Sequence, residues 1–231
     1  MAGNAEHFCM CIVPEKDQSG TKAALLNQYR WPNGATITVR FLEGDKKLQD
    51  RVKAVAQEWV AKNMAHLFLD FKPQTANKTD IRIAFKAGAG SWSHLGNFCR
   101  QIPEPQPTMN FGWINADSPE TTLRSVVLHE FGHALGLIHE HQNPKGGIPW
   151  NEAAVVKDLS GPPNNWDRNK IQHNMFDHYR PDEVSGTDVD SKSIMMYPIP
   201  AAWTLNGFSS GFNTELSEKD KTFIRFAYPA A

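Results

Sequence analysis

The most constraining stretch of the chain is His129-Glu130-Phe131-Gly132-His133-Ala134-Leu135-Gly136-Leu137-Ile138-His139, which reads H-E-x-x-H-x-x-G-x-x-H. On a helix, side chains four residues apart share a face and lie roughly 6 Å apart along the axis. Two imidazoles so placed can reach one ion. Zinc takes neutral histidine nitrogens at about 2.0–2.1 Å, and a catalytic site keeps three protein ligands and an open position. His129 and His133 supply two ligands. A straight helix would carry the third away, so the chain must turn. Gly136 permits the turn, because glycine enters the left-handed conformation that ends helices at little steric cost, and His139 can then come back to the metal. Glu130 follows the first ligand and is expected to act as general base toward the zinc-bound water. The blander alternative is a buried helix whose histidines satisfy backbone groups. It suits a lone histidine better than five positions matching one template.

The extended histidine pattern followed by a Met-turn is the metzincin signature. A candidate for the second piece is Ser193-Ile194-Met195-Met196-Tyr197. It resembles the S-I-M-x-Y Met-turn of astacin-like metzincins, and Glu140 directly after the third histidine is similar to astacins and serralysins. The resemblance extends in coarse element order over residues 23–229. It implies an α+β fold, a two-subdomain catalytic domain in which a twisted mixed sheet packs with helices and the zinc helix lies at the cleft. Residues 1–22 would be a leader or pro-like segment, 23–139 an N-terminal subdomain, and 140–231 a mostly irregular and helical C-terminal one. The same resemblance makes Met195 the apolar floor under the metal. It makes Tyr197 a fifth ligand that can swing to support the oxyanion. The implied activity is that of a zinc-dependent endopeptidase acting on proteins or peptides, as a monomer, with a secreted or extracellular setting. No signal-peptide pattern opens this chain.

Composition narrows the alternatives. Twenty-four Lys and Arg against 25 Asp and Glu leave a net charge of −1 without a basic stripe, which argues against a nucleic-acid partner. No apolar run approaches the ~20 residues of a membrane span. Three cysteines, Cys9, Cys11 and Cys99, are too few for a disulfide scaffold. Unpaired or packed thiols are the default reading. The functional alternative is that Cys9 or Cys11, upstream of the catalytic core, occupies zinc's open position as matrixin propeptides do. The local sequence does not match that switch motif.

In chain order, residues 1–22 read as a loosely attached polar leader. Ala24-Leu25-Leu26 resembles the start of mature astacins, whose freed N-terminus lies near the glutamate after the third histidine. More than twenty residues precede it here, which leaves the partner of Glu140 open. Alternation and β-branching predict a strand over 35–41. A helix follows from Lys46 to Asn63, capped near Asp45, then strands over 67–71 and 81–85. Ser91-Trp92-Ser93-His94-Leu95-Gly96 resembles the family's edge strand, so Trp92, Ser93, His94, Leu95 and Gly96 are expected to bind substrate by strand addition. Another strand is expected over 108–113. Ser118 as N-cap and Pro119 in the first turn should start the zinc helix. His141 is close enough to act behind the ligands, with a surface position the plainer reading. Asn143-Pro144 stands where many relatives carry arginine. Short helices are expected from Asn151 to Leu159 and from Asp167 to Tyr179, with His173 and His178 structural or solvated. Asp182, Glu183, Asp188 and Asp190 could hold calcium, though a solvated loop fits better. By resemblance, 198–212 walls the pocket for the residue after the scissile bond. Ser217 and Asp220 open a final helix. Two competing functions remain: a non-catalytic binding module of the same fold, which would lack a ligand or the glutamate, and a latent peptidase that needs its leader removed.

Overall fold

A computed structural model describes residues 9–12, 29–143, 147–162, 164–177 and 189–230. Ala24-Leu25-Leu26, Pro144, His178, Tyr179, Asp182, Glu183 and Asp188, on which several expectations rest, lie outside them.

The predicted strands form, slightly shortened: β2 (Thr36–Phe41), β3 (Phe68–Phe71), β4 (Ile81–Ala84), β5 (Ser91–His94) and β6 (Met109–Phe111). A sixth, β1 (Met10–Ile12), comes from the N-terminal segment. The sheet order is β1-β5-β6-β4-β2-β3, with only the β5–β6 pair antiparallel. Helix α1 (Lys46–Ala56) is capped by Asp45, whose carboxylate accepts the Leu48 N–H at 2.8 Å. The helix expected to reach Asn63 tightens to a 3-10 turn over Gln57–Val60. Trp59 there is fully buried and donates its indole N–H to the Leu128 carbonyl at 3.0 Å. That bond fixes the turn against the helix that carries the histidine motif.

The helix that carries the histidine motif, α2, runs Glu120–Ala134, and every residue from Val126 to Ala134 is buried. It is a core helix rather than an amphipathic surface one. It starts one residue later than predicted. Pro119 is the cap, and the Ser118 hydroxyl accepts the Asn115 N–H at 2.9 Å instead of capping the helix. The helix ends as Gly136 requires. At φ +98° the Gly136 N–H donates to the His133 carbonyl (2.8 Å) and the Leu137 N–H to the Gly132 carbonyl (2.9 Å), a Schellman closure. The remaining terminal carbonyls, which have no partner within a helix, are taken from outside. The Trp31 indole N–H donates to Ala134 and the Tyr228 hydroxyl to Leu135, at 2.8 and 2.7 Å.

One apolar cluster joins the sheet, α1 and α2, and takes in Met195, Ile224 and Tyr228 from the C-terminal half. A second gathers Val155, Leu159, Trp166, Ile171, Met175, Met196, Tyr197 and Trp203, together with Cys9. Its helices are α3 (Glu152–Ser160), capped by Asn151, and α4 (Arg168–Ile171), capped by Asp167, which continues as a π turn to Phe176. The last helix, α5 (Glu218–Ala227), opens with the Ser217–Asp220 capping box. No helix among the described residues is long and apolar enough to cross a membrane.

Candidate metal centre and active site

Helix α2 and its glycine turn bring three imidazoles together. His133 Nε2 lies 3.0 Å from His139 Nε2, and the His129 and His133 rings are 4.8 Å apart at near right angles. His129 Nδ1 meets the Ile194 carbonyl at 2.7 Å and His133 Nδ1 the Leu137 carbonyl at 2.8 Å. A carbonyl only accepts, so both Nδ1 atoms carry the proton and both Nε2 lone pairs face the centre. Burial holds His129 down at about 4 and His133 and His139 well below the usual range. Neutral imidazoles are the form a metal takes.

A fourth donor arrives from the N-terminal segment. Cys9 Sγ is 2.8 Å from His129 Nε2, 3.1 Å from His139 Nε2 and 3.8 Å from His133 Nε2. Among the described residues these four make the one group able to hold an ion, with donor atoms within 4.8 Å of one another. Three imidazoles and a thiol match the tetrahedral N/S preference of zinc, so the donor chemistry fits that metal. Cys9 is a free, packed thiol, one form of the default reading of the sequence, and what it packs against is the three histidines. The next residues explain how. Met10, Cys11 and Ile12 pair in parallel with Trp92, Ser93 and His94, and that pairing lays the chain along the cleft.

The same pairing revises the substrate strand. β5 is not the sheet edge here, because β1 covers it. Ser93 and His94 are buried and Trp92 is partly so. The Leu95 N–H is engaged by the Ile12 carbonyl at 3.2 Å. Gly96, at φ +49°, lies so near Tyr29 that a Cβ would sit 1.9 Å from its carbonyl oxygen. His94 is outside the donor cluster, and burial holds it down at about 4.

Glu130 is 1 % exposed and neither carboxylate oxygen has a hydrogen-bond partner among the described residues. Burial pushes its pKa well up. A carboxylate held beside four metal donors without an internal partner awaits something from the cleft. Tyr197 donates its hydroxyl to the Cys9 carbonyl at 2.5 Å, with its ring 4.2 Å from that of His139. His141 is not on the surface: it is fully buried, stacks on Tyr197 with centroids 4.5 Å apart, and bonds the Asn174 carbonyl at 2.7 Å.

Met195 lies under α2. A Cβ placed on Gly132 would be 2.3 Å from its Sδ, so the helix glycine makes the approach feasible. Asp220 anchors this turn. Its carboxylate accepts the Ser193 hydroxyl at 2.6 Å, the Ile194 N–H at 2.8 Å and the Ser217 N–H at 2.9 Å. In the sequence Asp220 reads only as a helix cap. Glu140 also finds partners: Oε1 accepts the Asp190 N–H at 3.0 Å and the Asn143 side-chain amide at 3.2 Å, while burial raises its pKa to about 7. Asn143, the departure noted in sequence, supplies one of them.

Residues 25–146 match the family described as Astacin, a peptidase family. A solved structure of myroilysin is 41% identical and superposes with a TM-score of 0.85, covering 89% of this chain and 98% of that one. A crystal structure of myroilysin is 37% identical with a TM-score of 0.71, covering 98% and 93%. No curated protein matches the chain. A matching family spanning more than half the sequence, a shared α+β metzincin fold and a cleft built around three converging histidines lead to one conclusion: the chain belongs to the astacin family and is a zinc metalloendopeptidase.

Proposed function

We propose that His129, His133 and His139 hold the zinc, that Glu130 is the general base, and that the arrangement with Cys9 is a latent form of the enzyme. Zinc held there would polarise the scissile carbonyl and acidify water. Glu130 takes the proton of the attacking water and returns it to the leaving amine. Tyr197 turns its hydroxyl from the Cys9 carbonyl to the developing oxyanion, a contact worth on the order of 3 kcal/mol. Met195 supports the ligands from below, and Glu140 holds the chain leaving His139. Residues 23–231 act as the catalytic unit and the leader as its restraint. The observation that carries this reading is the meeting of three imidazole nitrogens and one thiol beside a buried, unpartnered glutamate.

The leader restrains in two ways. Its thiol takes the position that water needs, and its backbone takes the strand that an extended peptide would join. Calcium in the acidic segment gains no support from Asp190, whose carboxylate accepts the Lys192 N–H at 3.0 Å.

The test is casein cleavage by zinc-loaded protein trimmed to residues 23–231. Glu130→Ala should reduce cleavage by at least about a hundredfold while zinc content stays at one per chain. Undiminished cleavage would sink the base assignment. Cys9→Ala in the full chain should raise activity above that of the untreated parent, and equal activities would remove the thiol from the account of latency.

A further inference from the structure

Tyr197 is anchored at its backbone, so its hydroxyl can move only as the side chain turns. Its carbonyl accepts the Ser210 hydroxyl at 2.6 Å, and the Ile199 and Ser210 backbones exchange two hydrogen bonds of 3.0 Å just beyond it. The buried ring lies among imidazoles. His139 is 4.2 Å away and tilted by 50°, His141 is 4.5 Å away and 28° from parallel, and His129 is at 6.3 Å. His129 and His139 are metal ligands in the reading above. His141 has no part in that chemistry, yet it offers the phenol ring its nearest near-parallel face.

His141 is itself held by the C-terminal half of the chain. Its Nε2 meets the Asn174 carbonyl at 2.7 Å. A carbonyl only accepts, so Nε2 carries the proton. That carbonyl belongs to the π turn Gln172–Phe176, closed by the Asp177 N–H donating to the Gln172 carbonyl at 3.0 Å. Single π turns are rare and frequent at functional sites. Gln142 ties the same turn again, its side-chain amide donating to the His173 carbonyl at 2.9 Å and the Asp177 carbonyl at 3.2 Å. Trp150 meets the His141 ring edge-on at 6.1 Å. The imidazole is thus a fixed flat wall. A phenol ring can slide across such a face, where a branched aliphatic side chain would interlock with it.

We propose that His141 is the positioning residue of Tyr197: its imidazole face, fixed by the Asn174 carbonyl, confines the phenol ring to one plane and so aims its hydroxyl from the Cys9 carbonyl toward the oxyanion. The inference rests on the peptidase reading above and on the part given there to Tyr197. His141 acts through the tyrosine and touches neither substrate nor metal. Its contribution belongs to the transition state, because the oxyanion exists only there, and it falls on kcat rather than on KM.

The experiment has two arms. In the first, protein folded as the full chain is loaded with zinc, cleaved ahead of Ala23, and assayed on one peptide, with rates referred to bound zinc. His141→Ala should lower kcat by about ten- to a hundredfold, the range that a small misplacement costs, and leave KM within about twofold. His141→Phe, which restores a flat face, should recover most of the loss. In a Tyr197→Phe background His141→Ala should change kcat by less than about twofold, since the group it positions is gone. An equal loss in both backgrounds, or equal losses in the Ala and Phe variants, overturns the proposal. The second arm needs neither metal nor activity. In the metal-free full chain with ring-labelled tyrosine, the Tyr197 ring resonance, identified by its disappearance in Tyr197→Phe, should be displaced by the stacked imidazole and should shift in His141→Ala. An unmoved resonance overturns the proposal whatever the rates. A parent that cleaves no peptide overturns the peptidase reading instead, and the resonance still decides whether His141 holds the ring.

Discussion

Gly132→Ala tests how the zinc helix and the Met-turn fit together. In an ordinary helix the change would stabilise by about 1 kcal/mol, because alanine outranks glycine in helix propensity. Here the new Cβ would fall 2.3 Å from Met195 Sδ, 3.2 Å from its Cε and 3.3 Å from Trp59 Cζ2. Both neighbours are fully buried, so neither side chain can swing into solvent. Overpacking of this kind costs typically about 1–3 kcal/mol. The net expectation is a loss of roughly 0–2 kcal/mol where propensity alone promises a gain. Thr122→Ala, at an exposed position of the same helix, shows the propensity effect without the clash. Urea denaturation gives the stability of each variant. In a Met195→Ala background the penalty of Gly132→Ala should vanish, a coupling of about 2 kcal/mol between the two sites. The variant should also retain zinc less well in competition with a chelator, since Met195 must retreat from beneath the ligands. A gain of about 1 kcal/mol with unaltered zinc retention would refute the close-packing argument.

Two further outcomes follow from the buried carboxylates. Glu140 has a folded pKa raised to about 7 by burial, so the native state holds its proton more tightly than the unfolded chain. That contribution is fully present below the unfolded value and is lost as pH rises toward 7, by at most about 3 kcal/mol. Denaturation measured from pH 4 to 8 should show the parent losing stability relative to Glu140→Gln as pH rises toward 7; parallel curves would refute it. Asp220→Asn keeps the helix start but cannot accept from Ser193, Ile194 and Ser217 together. It should cost about 1–3 kcal/mol, read as a lowered Tm, and an unchanged Tm would remove Asp220 as the anchor of the Met-turn.

Much of the molecule is legible in local pattern. The 35–41 alternation becomes β2, the three- and four-residue steps of Leu48, Val52 and Val55 become the buried face of α1, and Asp45, Asn151, Asp167 and Ser217 all cap helices. Each depends on residues within a turn or two of one another, and backbone geometry repeats at that range. Element limits move where a distant partner intervenes, as when Trp59 binds Leu128 and converts the end of the first helix to a 3-10 turn.

The amino-acid order by itself determined the donor types and the turn that gathers them, because H-E-x-x-H lies on one helical face and Gly136 alone can bend the chain back. Tertiary structure decided which fourth atom joins them. Cys9 is 120 residues from His129, and no periodicity links the two. Pairing of Met10–Ile12 with β5 carries the thiol into the cleft. The Asp220 hold on the Met-turn and the Arg124 contacts with Glu58 and Glu215 arise in the same way, between segments far apart in sequence that meet only in the folded core.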